Sequence, residues 1–202
     1  MSVVFLYERN FGVDREVQAE LRIDVTLADL ATASREWQSF RQQAVVPGIV
    51  GNDLPLDSAY WNWLEKGFRQ DADDVQFLSV TCMGKSQGLM SLSRATARCR
   101  FPESSSENLL YIHYLETAPW NQPVYAGGNV SYKGVGSALL YAAIERSVQA
   151  GCGGALGLHS LPEAEGYYRN LQFLDGGLDE KHENLRYFEL DKLQAAILQE
   201  GD

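Results

Sequence analysis

The part of this chain best suited to chemistry is a glycine-containing turn followed by an apolar, periodic run. It reads Ser-Tyr-Lys-Gly-Val-Gly-Ser-Ala-Leu-Leu over 131–140. The apolar spacing of 135–150 is typical of a helix, so the turn lies where that helix begins. The first N–H groups of a helix have no partner within it and, together with the helix dipole, attract anions. Gly134 and Gly136 let the backbone approach such an anion closely, which predicts a site for phosphate or pyrophosphate.

Two other interpretations of this turn are open from the residues alone. The first is a tight turn that binds no ligand. The second is the dinucleotide-binding pattern of three glycines. The chain matches that pattern poorly, because Leu139 stands at the third glycine position and no strand leads directly into the turn. The anion-binding interpretation is therefore favoured.

Helices and strands must position this turn, and the hydrophobic periodicity predicts both kinds of element. Predicted strands cover 3–7, 19–25, 75–83, 89–101, 109–117, 155–159 and 185–190. Predicted helices cover 27–44, 57–70, 135–150 and 192–199. A further helix is predicted to begin at Ser160, because Ser160 and Glu163 have the spacing of a capping box. The segments 46–55 and 119–130 are predicted loops.

The connections between these elements predict the fold class. A turn at 84–88 joins two strands into a hairpin, which pairs antiparallel. The strand–helix–strand run over 109–159 implies a parallel pair. The sequence therefore predicts an α/β (α+β-like) fold with a mixed central sheet.

Composition and charge disfavour several classes of protein. The chain has 202 residues, of which 45% are hydrophobic and 22% are charged, as expected of one globular domain. A formal net charge of −10 disfavours binding to nucleic acid or anionic membranes, and it suits a cationic substrate as well as plain solubility. No apolar run is long enough to span a membrane, and the start lacks a signal-peptide pattern. The three cysteines have neither zinc nor disulfide spacing, which predicts reduced thiols, a cytoplasmic location and no metal.

Three motifs, in order over 75–173, resemble the GNAT superfamily of N-acetyltransferases. The strand ending Leu-Glu-Thr-Ala-Pro at 115–119 is similar to the family's Leu-x-Val-x-Pro. The turn at Gly134 and Gly136 is similar to (Gln/Arg)-x-x-Gly-x-Gly/Ala, with Ser131 in the first position. A later helix is similar to Ala-x-x-Phe-Tyr-x-x-x-Gly-Phe, matched at Ala164, Tyr167, Tyr168 and Phe173.

The resemblance implies one N-acetyltransferase domain over 1–202. Its mixed sheet would contain a β-hairpin and a splayed parallel strand pair, with helices on both faces. The core motifs lie at about 75–175, and 1–74 helps to shape the acceptor site. Trp120, in a loop longer than the family's, is expected either to contact substrate or to pack. The resemblance is compatible with a homodimer.

The resemblance also implies acetyl-CoA as the acyl donor. Its pyrophosphate would bind backbone N–H groups of the turn, from Tyr132, Lys133, Gly134, Val135, Gly136 and Ser137. Its pantetheine arm would pair like an added strand with Leu115, Glu116 and Thr117. A backbone N–H there would stabilise the oxyanion of the tetrahedral intermediate.

The resemblance makes Tyr168 the candidate general acid, which would protonate the departing CoA thiolate. Packing is the alternative for Tyr168, because it lies on the apolar side of its predicted helix. For the general base, Glu116 and His113 are the nearest candidates, and strand alternation puts them on opposite faces. A base elsewhere, such as Tyr111, or no dedicated base, stays open.

The function that follows is an acetyl-CoA-dependent N-acetyltransferase. It would move an acetyl group directly to a primary amine of a small molecule, peptide or protein. The alternative is a catalytically inactive module that binds acyl-CoA as a sensor or scaffold. A hydrolase built on His159 and Ser160 is disfavoured, because no Gly-x-Ser-x-Gly elbow is present.

Overall fold

The described residues of the computed structural model are 2–10, 13–44, 57–71, 73–101 and 106–200. The strands are β1 (Ser2–Asn10), β2 (Val13–Arg22), β3 (Val75–Cys82), β4 (Lys85–Arg98), β5 (Asn108–Thr117), β6 (Tyr132–Lys133), β7 (Leu156–Ser160), β8 (Leu174–Asp179) and β9 (Leu185–Leu190). The α-helices are α1 (Leu27–Gln43), α2 (Trp63–Arg69), α3 (Pro123–Ala126), α4 (Val135–Gln149), α5 (Glu165–Asn170) and α6 (Lys192–Glu200).

The chain divides into two compact units, and the first contains 1–91 and 114–139. Its strand order is β6-β1-β2-β3-β4-β5. Helix α1 begins at a capping box, in which Thr26 Oγ1 accepts from Asp29 N–H and Asp29 Oδ2 accepts from Thr26 N–H. The buried core of this unit brings α1 and α2 together through Leu30, Ala33, Trp37, Trp63, Leu89 and Ala118.

The second unit contains 92–113 and 140–202. Its strand order is β4-β5-β7-β9-β8, so β4 and β5 contribute to both units. Strands β5 and β7 pair in parallel, with Leu110–Ile112 opposite Leu156–Leu158. Strand β9 pairs antiparallel with β7 and with β8. Tyr168, Phe173 and Phe188 are buried in this unit.

These observations confirm the predicted α/β fold with mixed strand pairing. The hairpin is also present, since a two-residue turn at Met83 and Gly84 joins β3 to β4. Both turn residues have positive φ, as tight hairpin turns require, so the turn is shorter than the predicted 84–88. The parallel pair is β5 with β7. The domain count over 1–202 stays a prediction.

Two local predictions were wrong. The predicted helix over 57–70 is a 3₁₀ turn, Asp57–Tyr60, followed by α2, because Asn62 is extended and its side chain caps α2 by accepting from Glu65 N–H at 3.2 Å. Ser160 is not a helix cap. Its hydroxyl donates to the carbonyl oxygen of Leu161 at 2.9 Å, and a 3₁₀ turn separates it from α5.

Other segments differ from the prediction in detail. The predicted loop over 119–130 contains a 3₁₀ turn, Pro119–Asn121, and α3. Strand β8 was not predicted, since Asp175, Gly176 and Gly177 interrupt its apolar pattern. The predicted loop over 46–55 lies outside the described residues. Among the described helices, none has the length and apolar character needed to cross a membrane.

Gly88 on β4 is a position where a side chain would not fit. A Cβ built there would lie 2.6 Å from Val135 Cγ1 and 3.0 Å from Leu139 Cδ1, so α4 packs directly on this backbone. We expect Gly88→Ala to lower the free energy of unfolding by about 1–3 kcal/mol through overpacking. Urea unfolding would measure this, with Gly166→Ala as the control. A Cβ at Gly166 meets no atom within 4 Å, so a similar loss in both variants would contradict the steric explanation.

Candidate active site

The glycine turn lies at the start of α4, as the sequence predicted. The expectation that no strand leads into the turn was wrong, because the two-residue strand β6 ends directly before Gly134. Gly134 has a φ of +87°, which glycine adopts without strain. The first hydrogen bond of α4 runs from Ala138 N–H to the carbonyl oxygen of Gly134 at 2.9 Å. The N–H groups of Val135, Gly136 and Ser137 precede that bond, and they have no hydrogen-bond partner among the described residues. Three adjacent donors at a helix start suit a bound anion.

The two residues just before Gly134, Tyr132 and Lys133, are bonded to other parts of the protein and fix the position of the turn. Tyr132 N–H donates to Asn121 Oδ1 at 2.9 Å, and Lys133 Nζ forms an ion pair with Asp14 at 2.8 Å. Strand β6 pairs antiparallel with β1, opposite Tyr7 and Glu8. The backbone donor of Tyr132 and the charge of Lys133 therefore already have protein partners, unlike the N–H groups at the start of α4 as far as the structure is described.

The end of β5 lies beside this turn in the same unit. The backbone of Gly88 on β4 separates them, since a Cβ there would contact Val135 and lie 3.3 Å from the carbonyl oxygen of Glu116. Ala118 N–H donates to the carbonyl oxygen of Gln87 at 2.8 Å, and Gln122 Nε2 donates to that of Thr117 at 2.6 Å. The structure thus brings together the predicted cofactor strand, Leu115–Thr117, and the glycine turn.

The side chain of Glu116 is buried, with 2% of its surface exposed, and it has fixed partners. One carboxylate oxygen contacts the guanidinium of Arg41, and the other accepts from Trp63 Nε1–H at 2.7 Å. Burial raises the pKa of Glu116 to about 7, although Arg41, Trp63 and the ammonium of Lys66 all act to lower it. The two carboxylate oxygens of Glu116 thus bind Arg41 of α1 and Trp63 of α2. These contacts suit a residue that fixes both helices against the end of β5.

Lys66 places its amine between two aromatic rings next to this carboxylate. Its Nζ lies 3.2 Å from the centre of the Tyr114 ring and 4.2 Å from that of Trp61. Burial lowers the pKa of Lys66 to about 8, and the negative charge of Glu116 opposes that shift. The result is a weakly basic primary amine on the side of β5 that carries Glu116.

A cleft of about 790 Å³ opens beside the turn in the first unit. Its walls include Ser131, Tyr132 and Trp120, with polar residues of α1 opposite them. Trp120 is held in place, because its Nε1–H donates to Gln87 Oε1 at 2.7 Å and its ring packs edge-on against Phe40. The predicted alternatives for Trp120 are therefore compatible, since it packs and also lines a cleft.

Tyr168 belongs to the second unit, on α5. It is buried among aromatic rings, with Phe173 and Phe188 at centroid distances of 5.3 and 5.7 Å. Burial raises the pKa of its phenol, so Tyr168 keeps its proton across physiological pH. The packing interpretation is thus correct for the ring, and the role of the hydroxyl as an acid stays a prediction.

His113 also belongs to the second unit, and its side chain is exposed. Its ring lies edge-on to that of Tyr111 at 5.0 Å. Burial of part of the ring lowers the pKa of His113, which keeps the imidazole neutral and able to accept a proton near pH 7. Unlike Glu116, His113 therefore presents an accessible base.

The sequence did not predict a hydrogen-bond chain in the second unit. The Tyr111 hydroxyl bonds His159 Nδ1 at 2.5 Å, and His159 Nε2 bonds Asp179 Oδ2 at 3.0 Å. His182 Nδ1 reaches the same oxygen at 3.0 Å, so the two histidines and Asp179 resemble a metal-ligand set. The guanidinium of Arg100 contacts that oxygen at 2.7 Å, and its charge already balances the carboxylate.

The sequence also failed to predict Arg41 and Lys66 as neighbours of Glu116. One signal for Arg41 was available, because it lies at helical spacing from Leu30, Ala33 and Trp37 on the apolar side of α1. A charged residue on a buried stripe requires a buried partner. No comparable signal marks Lys66.

This chain is similar to known proteins in its fold, whereas comparisons of its sequence find no match. No family model matches the chain, and no curated protein matches it significantly. Solved structures do match. A GNAT-family protein from Desulfovibrio desulfuricans aligns with a TM-score of 0.54 and 14% identity, covering 86% of this chain and 99% of that one. The PaiA N-acetyltransferase of Thermoplasma acidophilum, in complex with coenzyme A, aligns at 0.54 and 15%, covering 87% and 99%.

A third structure has the same architecture. The AtaT toxin, bound to the C-terminus of the antitoxin AtaR, aligns with a TM-score of 0.52 and 13% identity, covering 91% of this chain and 98% of that one. These likenesses show that the chain has the fold of GNAT acetyltransferases, as its motifs indicated.

Proposed function

We propose that this protein is an acetyl-CoA-dependent N-acetyltransferase that acts on a primary amine. The observation that carries the proposal is the set of three N–H groups at the start of α4, beside the end of β5, for which the described part of the chain offers no hydrogen-bond partner. A solved structure with the same fold contains coenzyme A, which supports a CoA thioester as the ligand of this turn.

The chemistry assigns a task to each group. Val135, Gly136 and Ser137 would bind the diphosphate of the donor through backbone N–H groups. The amine would attack the thioester carbon, and a backbone N–H of Leu115–Thr117 would stabilise the oxyanion that forms. Collapse of the intermediate would break the C–S bond, and Tyr168 is the residue that the resemblance implies as the proton donor to the leaving thiolate.

The amine must lose a proton during this reaction, and two candidate bases differ in their surroundings. Both oxygens of Glu116 are bound by Arg41 and Trp63, which favours a positioning role. His113 is exposed and neutral, which favours it as the proton acceptor. Strand alternation puts His113 and Glu116 on opposite faces of β5, so both stay candidates and the face on which the amine binds decides between them.

Two glycines allow a matched test of cofactor binding. Gly134 has a φ of +87° and Gly128 a φ of +84°, and a Cβ on either meets no atom closer than 3.9 Å. An alanine at either position must therefore adopt a similarly unfavourable φ. Only Gly134 adjoins the donor N–H groups, so Gly134→Ala is expected to weaken CoA binding on the order of 10-fold, whereas Gly128→Ala leaves it unchanged.

Isothermal titration calorimetry with CoA measures this difference. Melting temperatures of both variants without ligand would show that each is folded. Wild-type protein that binds no CoA, or two variants that bind it equally well, would contradict the assignment of the turn.

The second candidate function is an acyl-CoA-binding module without turnover. The engagement of both oxygens of Glu116 is the observation that favours it. Thiol release from acetyl-CoA with a panel of primary amines separates the two functions, since binding without release supports the module. The cytoplasmic location, the homodimer and the identity of the amine stay predictions.

A further inference from the structure

We propose that Lys66 accepts an acetyl group from this protein's own bound acetyl-CoA, which makes it a site of intramolecular acetylation. The inference rests on the proposed function. It adds a modified residue, and it identifies an alkylammonium held by aromatic rings as the kind of amine that this site receives.

The position of the amine is the first argument. Lys66 Nζ lies over the rings of Tyr114 and Trp61, which pack edge-on with centroids 5.1 Å apart. Tyr114 is on β5, two residues before Glu116, so alternation places both side chains on one face of the strand. The amine of Lys66 therefore lies against the strand whose next residues, Leu115–Thr117, would hold the thioester.

The chemistry of the amine is the second argument. Only a neutral amine attacks a thioester, and an exposed lysine with a pKa near 10.4 is roughly 0.4% neutral at pH 8. Burial lowers the pKa of Lys66 to about 8, which makes close to half of it neutral at that pH.

Charged groups around Lys66 partly offset one another. Glu116 on β5 and Glu65 on α2 raise the pKa of Lys66, whereas Arg69 on α2 lowers it. The phenol of Tyr114 faces the same amine. Burial is the largest influence on the pKa of Lys66. The rate of acetylation at Lys66 should therefore follow the fraction of Lys66 that is neutral at each pH.

The reaction balances without a further reagent. The ammonium first loses one proton to solvent, and Nζ then attacks the acetyl carbon to form an N–C bond. The C–S bond breaks, and the second proton leaving the nitrogen balances the proton taken up by the thiolate. The products are acetylated Lys66, CoA and one released proton.

Lys85 provides a matched internal control. Its Nζ is 5.8 Å from the centre of the Trp120 ring, and its side chain is exposed in the same unit. It thus also lies near an indole, but without burial and without Glu116. Preferential reaction at Lys66 over Lys85 would therefore reflect the described site rather than an aromatic neighbour.

The experiment incubates the full chain with acetyl-CoA alone and quantifies acetylated peptides by mass spectrometry. We expect acetylation of Lys66 to be at least about 10-fold faster than that of Lys85. The rate should rise through pH 8 and then level off, and it should not depend on protein concentration. Gly134→Ala should slow it at subsaturating acetyl-CoA, because the reaction needs bound donor.

Three outcomes would overturn the inference. They are equal labelling of Lys66 and Lys85, a rate that rises with protein concentration, and a rate at Lys66 unaffected by Gly134→Ala. The same preparation is also assayed with added alkylamines. If these are acetylated and Lys66 is not, this inference fails while the proposed function stands. If no amine is acetylated, the proposed function fails as well.

Discussion

Replacing Tyr168 with phenylalanine is expected to lower the rate of acetyl transfer by about 10²-fold or more, with little change in stability. The variant keeps the ring that packs against Phe173 and Phe188 and removes only the hydroxyl. A CoA thiolate that leaves without a proton donor raises the barrier to collapse of the intermediate. Because burial raises the pKa of Tyr168, the wild-type phenol is protonated across physiological pH.

The neighbouring Tyr167 supplies the control for this prediction. Tyr167→Phe removes a hydroxyl from the same helix, and its ring contacts Tyr168 edge-on at 5.4 Å. Thiol release with an added amine should be unchanged in this variant and strongly reduced in Tyr168→Phe. Equal rates for Tyr168→Phe and wild type over the whole pH range would remove Tyr168 from the mechanism.

Replacing Arg41 with methionine is expected to destabilise the protein by about 3–5 kcal/mol, because it leaves the Glu116 carboxylate buried without its main counter-charge. Both side chains are almost wholly buried, with exposed fractions of 4% and 2%. Urea unfolding at pH 7.5 measures the loss. Since burial already raises the pKa of Glu116, removal of Arg41 raises it further, and the carboxyl group takes up a proton.

The protonation of Glu116 determines how the stability of Arg41→Met changes with pH. Arg41→Met should be least stable at high pH, where Glu116 must ionise, and should recover stability as the pH falls. The double variant Arg41→Met with Glu116→Gln should recover most of the loss at all pH values, since it removes both charges of the buried pair. A similar loss in the single and double variants would show that packing, not charge, dominates at this site.

The exposed ion pair of Arg98 and Glu107 offers a comparison for the same substitution. Their side chains are 82% and 74% exposed, so water and salt screen the pair. Arg98→Met should therefore cost only a small fraction of what Arg41→Met costs.

Local patterns were enough to predict the parts of the site that the backbone makes. The glycine turn, the start of α4 and the strand ending at Thr117 depend on periodicity and on glycine positions, which adjacent residues determine. Low identity to the solved structures does not weaken such features, because many side chains satisfy them. The turn was therefore found where its motif indicated.

Side-chain networks were not predictable in this way, because their members are distant in sequence. Arg41 is 75 residues from Glu116, and Tyr111 is 48 residues from His159. Only the fold brings such groups together. Ser160 shows the opposite failure, since its local spacing suited a cap but its hydroxyl bonds the adjacent carbonyl oxygen.

The pairing of β6 with β1 connects the beginning of the chain to the glycine turn. Strand β6 has only two residues, Tyr132 and Lys133, which precede Gly134 and pair with Glu8 and Tyr7 of β1. If the turn binds the proposed acyl donor, a fusion tag or a cleavage that disturbs β1 should alter the affinity for that donor. The Michaelis constant for acetyl-CoA should therefore be measured separately for preparations that differ at this end of the chain.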